Sequence, residues 1–405
     1  MRPLLLAALF ILPAAARAEE AAPSAEARIK ALEERLNKIE GAPPKTSLSA
    51  YNPAMGMSID FAFSRTADKA NLGFRSAEMS IEAPIDPFLK GWAVINGTSD
   101  GVGIEEATLQ TTALPYNLTV SGGRLFAAFG RLAHFHDHEL PVIDRPRSLD
   151  TFIGAETQAD GVEVSYLFPL PFYMTATGGF YNKIGGENAR ADNAAARPLQ
   201  SFTYLGRLAA YTDVGDDHSL ELGVSEAWTP RRFVTDTSVP GTDFNADGTP
   251  DTANTSAGIE TRKNTWRSLA GVDLTYRYQP GSGGLYKGIV WGTEVMQNIE
   301  RRFDASTNLP TDRVRSYAGF SYLQFKLGRQ WRPGVMIDLS EDLDTAKTLT
   351  RTYTAFASYN LTEFHRLRLA YSRSSVNVPG RRDDDTVGVQ WTGIFGKHVH
   401  GFRDR

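Results

Sequence analysis

The fold class this sequence predicts is all-β: a transmembrane antiparallel barrel of about 16 strands, with about 14 to 18 compatible with the same pattern, preceded by a short periplasmic helix. Three observations predict it. Apolar residues recur at every second position over most of the chain. The connections between these runs alternate between short and long. Only 41% of the 405 residues are hydrophobic, although Gly, Tyr and Phe are plentiful. A barrel in lipid needs apolar side chains on its outer face alone, so its mean hydropathy stays low.

The first element is a leader. Arg2 supplies a positive start, Leu4 to Leu12 an apolar stretch, and Ala16-Arg17-Ala18 a small-x-small cleavage site, so residues 1–18 read as a secretion signal cut after Ala18. A membrane anchor would need about 20 apolar residues, roughly twice this run. The chain has no Cys, which excludes a lipoprotein signal, a disulfide framework and thiolate metal ligation. Residues 19–45 hold the helix and a linker. Ile29, Leu32, Leu36 and Ile39 form an a/d seam between Ser24 and Glu40, and Gly41-Ala42-Pro43-Pro44 ends it. This segment suits an amphipathic helix, a solvated spacer or a small coiled coil joining subunits.

The barrel is expected over residues 46–405. From Asn52 the period becomes two: Met55, Met57, Ile59, Phe61 and Phe63 alternate with small or polar residues. The pattern returns in Val335, Ile337 and Leu339, and in Leu367, Leu369 and Tyr371, interleaved with Arg366, Arg368 and Ser372. Val387, Val389, Trp391 and Phe395 share one face of a last strand, although the chain runs on to Arg405. Aromatic residues at strand ends, such as Tyr276 and Tyr278, fit interfacial girdles.

Short connections are expected near residues 84–87, 114–116, 168–171, 213–218 and 330, with long polar ones at 65–71, 127–158, 183–198, 232–262, 301–312 and 341–349. Short turns at one end and long loops at the other characterise outer-membrane barrels. A secreted sandwich of this length would need linkers that are absent after Pro44, and a propeller would show a blade repeat.

Removing Arg2 and Arg17 leaves 41 basic residues against the 47 acidic ones, a mild acidity that gives no support to nucleic-acid binding. Catalytic signatures of the Gly-x-Ser-x-Gly, His-Glu-x-x-His or phosphate-loop type are missing, so enzyme chemistry is not expected.

Three groups of residues carry possible chemistry. His134, His136 and His138 lie in His134-Phe135-His136-Asp137-His138-Glu139. An extended backbone would put all three imidazoles on one face, suited to zinc or copper, with Asp137 and Glu139 as outer-shell carboxylates. The plainer alternative is a polar loop that folds inward and narrows a channel. The same long loop holds Arg131, Asp144, Arg145, Arg147 and Asp150; opposed charges of this kind set a transverse field at a pore constriction. An outward surface loop with internal salt bridges is the alternative. In Asp243-Phe244-Asn245-Ala246-Asp247-Gly248-Thr249-Pro250-Asp251, the Asp, Asn and Asp at positions one, three and five, with Gly at six, resemble the start of a calcium loop; the Thr249 carbonyl and Asp251 would complete the ligands. Asn254 stands where the bidentate Glu belongs, and an ordinary polar turn has a similar composition.

The stretch from Glu105 through Phe168 resembles a family of porin-like proteobacterial outer-membrane proteins, several of which are labelled zinc-regulated TonB-dependent receptors. The residues that carry the likeness are Asn52-Pro53, Glu105-Glu106-Ala107, Ala113-Leu114-Pro115-Tyr116, Gly123-Arg124, Phe135-His136-Asp137-His138, Asp144-Arg145-Pro146, Phe152-Ile153-Gly154 and Asp160-Gly161-Val162. The resemblance covers about a quarter of the chain and implies an outer-membrane barrel tied to metal uptake. A TonB-dependent transporter uses a plugged barrel of about 22 strands. Strands beginning within a few residues of Thr46 leave room ahead of them for the short helix only, so an open or loop-constricted channel fits better. The expectation is thus a porin-like channel for small hydrophilic solutes or ions, in contact with outer-membrane lipid and possible as a homotrimer. No cofactor is required; calcium at 243–251 and zinc at the His-rich loop are the candidates. A zinc-uptake receptor and a structural or adhesive barrel are the alternatives.

Overall fold

The computed structural model describes residues 52–186, 197–231, 233–234, 260–261, 265–282, 284, 286–301, 303–304, 309–310, 312–343 and 347–396. The leader, the expected helix at 24–40 and the calcium-type loop at 243–251 lie outside the described residues.

Sixteen antiparallel strands close into one barrel. In chain order they are β1 (Ala54–Arg65), β2 (Ala70–Pro84), β3 (Leu89–Thr98), β4 (Gly101–Thr111), β5 (Leu118–Phe126), β6 (Gln158–Leu167), β7 (Tyr173–Ile184) and β8 (Thr203–Val214), then β9 (His218–Thr229), β10 (Trp266–Tyr278), β11 (Lys287–Arg301), β12 (Val314–Leu327), β13 (Trp331–Glu341), β14 (Leu349–Asn360), β15 (His365–Val376) and β16 (Asp384–Gly396). Each pairs with its sequence neighbours, and β1 closes on β16 from Gly56 opposite Gly396 to Arg65 opposite Val387. Closure satisfies the backbone groups that an open sheet edge would leave unpaired in lipid.

The period-two pattern maps onto the two faces. In β1, Met55, Ile59 and Phe61 are exposed on the outside while Ser58 and Asp60 are buried on the inside. In β13, Val335, Ile337 and Leu339 face out, and Asp338 and Ser340 face in. The alternation of connections holds in part. Residues 66–69 and 99–100 make tight links at the long-loop end, against the expectation of a long connection at 65–71. The β1–β2 hairpin extends to Arg65 opposite Ala70 and absorbs what composition presents as loop.

Two bulges break the alternation where it matters. Between β1 and β2 the register shifts at Asp60/Phe61, so Arg75 is the extra residue. Between β3 and β4 it shifts at Val94/Ile95, and Glu105 is the extra residue. A bulge re-aims the side chain that it inserts. Here it lets Glu105 and Glu106, adjacent in sequence, both lie buried on the inner face.

The expectation of a uniformly polar inner face is corrected. Leu205, Ala227, Leu269, Met296, Phe320, Tyr322, Met336 and Phe356 point inward from the sector β8 to β14. They pack with Phe129, Leu132, Ala133, Phe135, Leu140, Leu149 and Phe152 of the connection 127–157, which runs inside the barrel. The water-excluded core of the molecule is therefore inside the lumen, between this connection and one side of the wall.

Candidate functional site

The 127–157 connection is a built element. Its base is closed by Ala127 N–H donating to Thr157 O at 2.9 Å and Thr157 N–H to Ala133 O at 3.1 Å. Between them it forms two 3-10 turns, Leu132–His134 and Asp137–Glu139, and a short helix, α1 (Arg147–Phe152). Its clustered apolar side chains pack against the β8–β14 sector, and carbonyls between residues 137 and 143 accept from arginines of β2 and β15.

Wall residues hold it from opposite sides. Glu294 of β11 accepts the backbone N–H groups of Arg131 at 3.1 Å and Leu132 at 2.5 Å. Gly130 precedes them at φ +65°, and a Cβ there would lie 2.6 Å from Glu294 Oε2. Asp338 of β13 accepts the N–H of Ser148 at 3.2 Å. From the other side, buried Arg368 donates to the carbonyls of Leu140, Val142 and Asp137, and Arg366 to that of His138. Arg75 donates to Ile143 O at 3.1 Å and to Asp144 at 3.0 Å. A guanidinium placed against several carbonyls satisfies groups that burial would otherwise leave costly.

The constriction residues expected from sequence divide into two groups. Asp144, Arg147 and Asp150 are exposed to the lumen. Arg131 and Arg145 are buried and serve as fasteners, a correction to their pore-lining assignment. Arg131 pairs with Glu221 of β9 at 3.1 Å and lies over the Phe135 ring at 5.2 Å. Arg145 holds the loop to itself, donating to Leu132 O, Phe135 O, Asp137 and Glu156. The Asp150 carboxyl is pushed up to about 6: crowding by the surrounding loop strips its water, Arg145 opposes this, and Asp137, Asp338 and Asp144 add to it.

The three histidines also divide. The turns replace the extended backbone that sequence suggested, so they do not share a face. His134 Nε2–H donates to Ala127 O at 2.6 Å; burial, and then Arg207, draw its pKa down to about 4, leaving it neutral. His136 and His138 are fully buried, with ring centroids 5.7 Å apart. They face wall carboxylates that sequence reasoning did not single out. His136 Nδ1 is 3.4 Å from Glu78 Oε2 of β2 and 3.4 Å from Glu105 Oε1 of β4, while His136 Nε2 is 3.1 Å from Glu106 Oε1. His138 Nδ1 is 3.0 Å from Glu78 Oε2. Burial opposes charge on both rings, yet the carboxylates outweigh it: Glu105, Glu106 and Glu78 hold His136 well above its usual range, and Glu78 raises His138. Asp137 pairs with Arg145, and Glu139 accepts the backbone N–H of His136 at 3.3 Å.

The signals for the missed residues are faint. Adjacent glutamates at 105–106 interrupt an alternating strand, which hints at a bulge, and Arg366 and Arg368 share one face two residues apart. Glu78 carries no mark that separates it from other inward polar positions.

No family model matches the chain. It is 25% identical over 376 residues to an uncharacterized protein of Aquifex aeolicus (strain VF5), across 82% of this chain and 70% of that one. Among solved structures, OprB of Pseudomonas putida at high pH is similar with a TM-score of 0.56 and 10% identity, over 86% of this chain and 95% of that one. In-vitro folded OmpT, an outer membrane protein of Vibrio cholerae, gives 0.53 and 12%, over 88% and 100%. An anion-selective porin from Comamonas acidovorans gives 0.51 and 11%, over 85% and 99%.

The fold is that of the porin-type barrels. The zinc-regulated TonB-dependent label finds no support in these similarities, and the closed barrel has 16 strands against the about 22 of a plugged transporter.

Proposed function

We propose that the protein is an outer-membrane channel for small hydrophilic solutes or ions, in which the 127–157 loop sets the narrowest section. The observation that carries this is the loop itself: it folds inside the barrel, is fixed by charged side chains from opposing walls, and still presents Asp144, Arg147 and Asp150 to the aqueous interior. A lumen lined by both signs of charge favours hydrated polar solutes and discriminates ions by the local field. The apolar outer belt suits lipid and, where three barrels assemble, a neighbouring copy; cross-linking in outer-membrane vesicles to a three-chain species tests the trimer.

Planar-bilayer recording tests the channel. Stepwise currents are expected, and their absence at every voltage would sink the reading. One observation favours a second reading, a structural barrel without a conducting lumen: the apolar packing of the loop against β8 to β14 removes much of the interior from water. The same recording decides between the two.

A further inference from the structure

We propose that His136 and His138 of the loop, with Glu78 of β2 and Glu105 of β4, form a binding site for one zinc-type divalent cation that staples the loop to the barrel wall. This depends on the channel reading for its consequence, a tightened constriction, and not for the site itself.

The geometry carries the proposal. Zinc binds imidazole nitrogen and carboxylate oxygen tetrahedrally at about 2.0–2.1 Å, which puts neighbouring ligand atoms about 3.3 Å apart. His136 Nδ1 lies 3.4 Å from both Glu78 Oε2 and Glu105 Oε1, and His138 Nδ1 lies 3.0 Å from Glu78 Oε2. The donor atoms of Glu78, Glu105 and His136 all fall within 4.8 Å of one another. These three are thus already close to the spacing of a first coordination shell, and His138 adjoins them through Glu78.

The third carboxylate, Glu106, supplies what such a site needs next. Glu106 Oε1 is 3.1 Å from His136 Nε2 and can accept its proton. That fixes the tautomer with Nδ1 free of hydrogen and aimed at the cation, the arrangement in which a second carboxylate orients a metal-bound imidazole. The charge balance agrees. Three buried carboxylates, one from β2 and two from β4, converge on the two imidazoles in a water-poor interior. A divalent ion entering here displaces the imidazole protons to solvent, and with two carboxylates and two neutral imidazoles it makes a neutral coordination centre. Two ligands come from the loop and two from the wall, so occupancy adds bonds that exist only while the loop is seated.

The test uses the full chain, folded in detergent, stripped with chelator and then dialysed against low-micromolar zinc. Elemental analysis is expected to find one zinc per chain, and X-ray absorption a first shell of nitrogen and oxygen only. His136→Ala and the near-isosteric Glu105→Gln should each weaken zinc retention by about tenfold or more, while His134→Ala retains wild-type affinity. Heat-modifiable gel migration confirms that each variant is folded, and Glu105→Gln stands in if His136→Ala is not. No zinc on the folded wild type, equal retention by Glu105→Gln, or a loss in His134→Ala matching that in His136→Ala would each overturn the site. Currents recorded on the stripped protein keep the two readings apart: currents without zinc retention reject the site alone, and zinc retention without currents rejects the channel alone.

Discussion

Arg368→Ala should loosen the inward loop about a hundredfold. Arg368 is 1% exposed and donates to three loop carbonyls, those of Leu140, Val142 and Asp137. A hydrogen bond from a charged donor contributes about 1.5–3 kcal/mol net. Water entering the vacated space would resolvate part of what is lost, so about 3 kcal/mol is a reasonable total for the three bonds. At about 1.4 kcal/mol per tenfold, the undocked loop becomes roughly a hundred times more populated. The natural chain has no Cys, so one reporter thiol can be read without background. Ser148 lies on the buried face of α1, fully shielded from solvent, and Ser148→Cys changes little in size. Maleimide labelling of Ser148→Cys should be about a hundredfold faster when Arg368→Ala is added, because the thiol reacts only from the open state. Equal rates in the two backgrounds would refute the idea that the arginine clamp seats the loop.

Two further outcomes follow from the same framework. Gly130→Ala places a side chain at φ +65° and 2.6 Å from Glu294 Oε2; the backbone cost of about 1–2 kcal/mol should speed labelling of the same reporter roughly tenfold, and an unchanged rate would mean that the Glu294 anchor tolerates displacement. Asp150, with its carboxyl pushed up to about 6, is charged at pH 7.5 and protonated at pH 5; the cation preference read from reversal potentials should fall across that window, and the fall should vanish in Asp150→Asn.

The barrel was legible because its physics is repetitive. Lipid outside and water or protein inside impose the same choice at every second residue, so Met55, Ile59 and Phe61 and the run from Val335 to Leu339 declare their face without reference to any partner. The loop at 127–157 was marked as special by its length and by its mixture of His, Arg and Asp. Its internal arrangement was not legible. Whether the backbone is extended or turned at 134–139 depends on contacts with strands far away in sequence, and the turns separate His134 from His136 and His138.

The sequence by itself therefore determined a β-barrel of about sixteen strands and singled out one loop, since alternation and connection length are local properties of the chain. Tertiary structure alone decided that this loop lies within the barrel, that Arg131 and Arg145 fasten it, and that Glu78, Glu105 and Glu106 surround two of its histidines. The reason is the bulges and the closure. A bulge at Glu105 turns a second carboxylate inward, and closing the sheet brings β15, β16, β1, β2 and β4 around one face of the loop. Such meetings between distant strands leave no periodic trace in the order of residues.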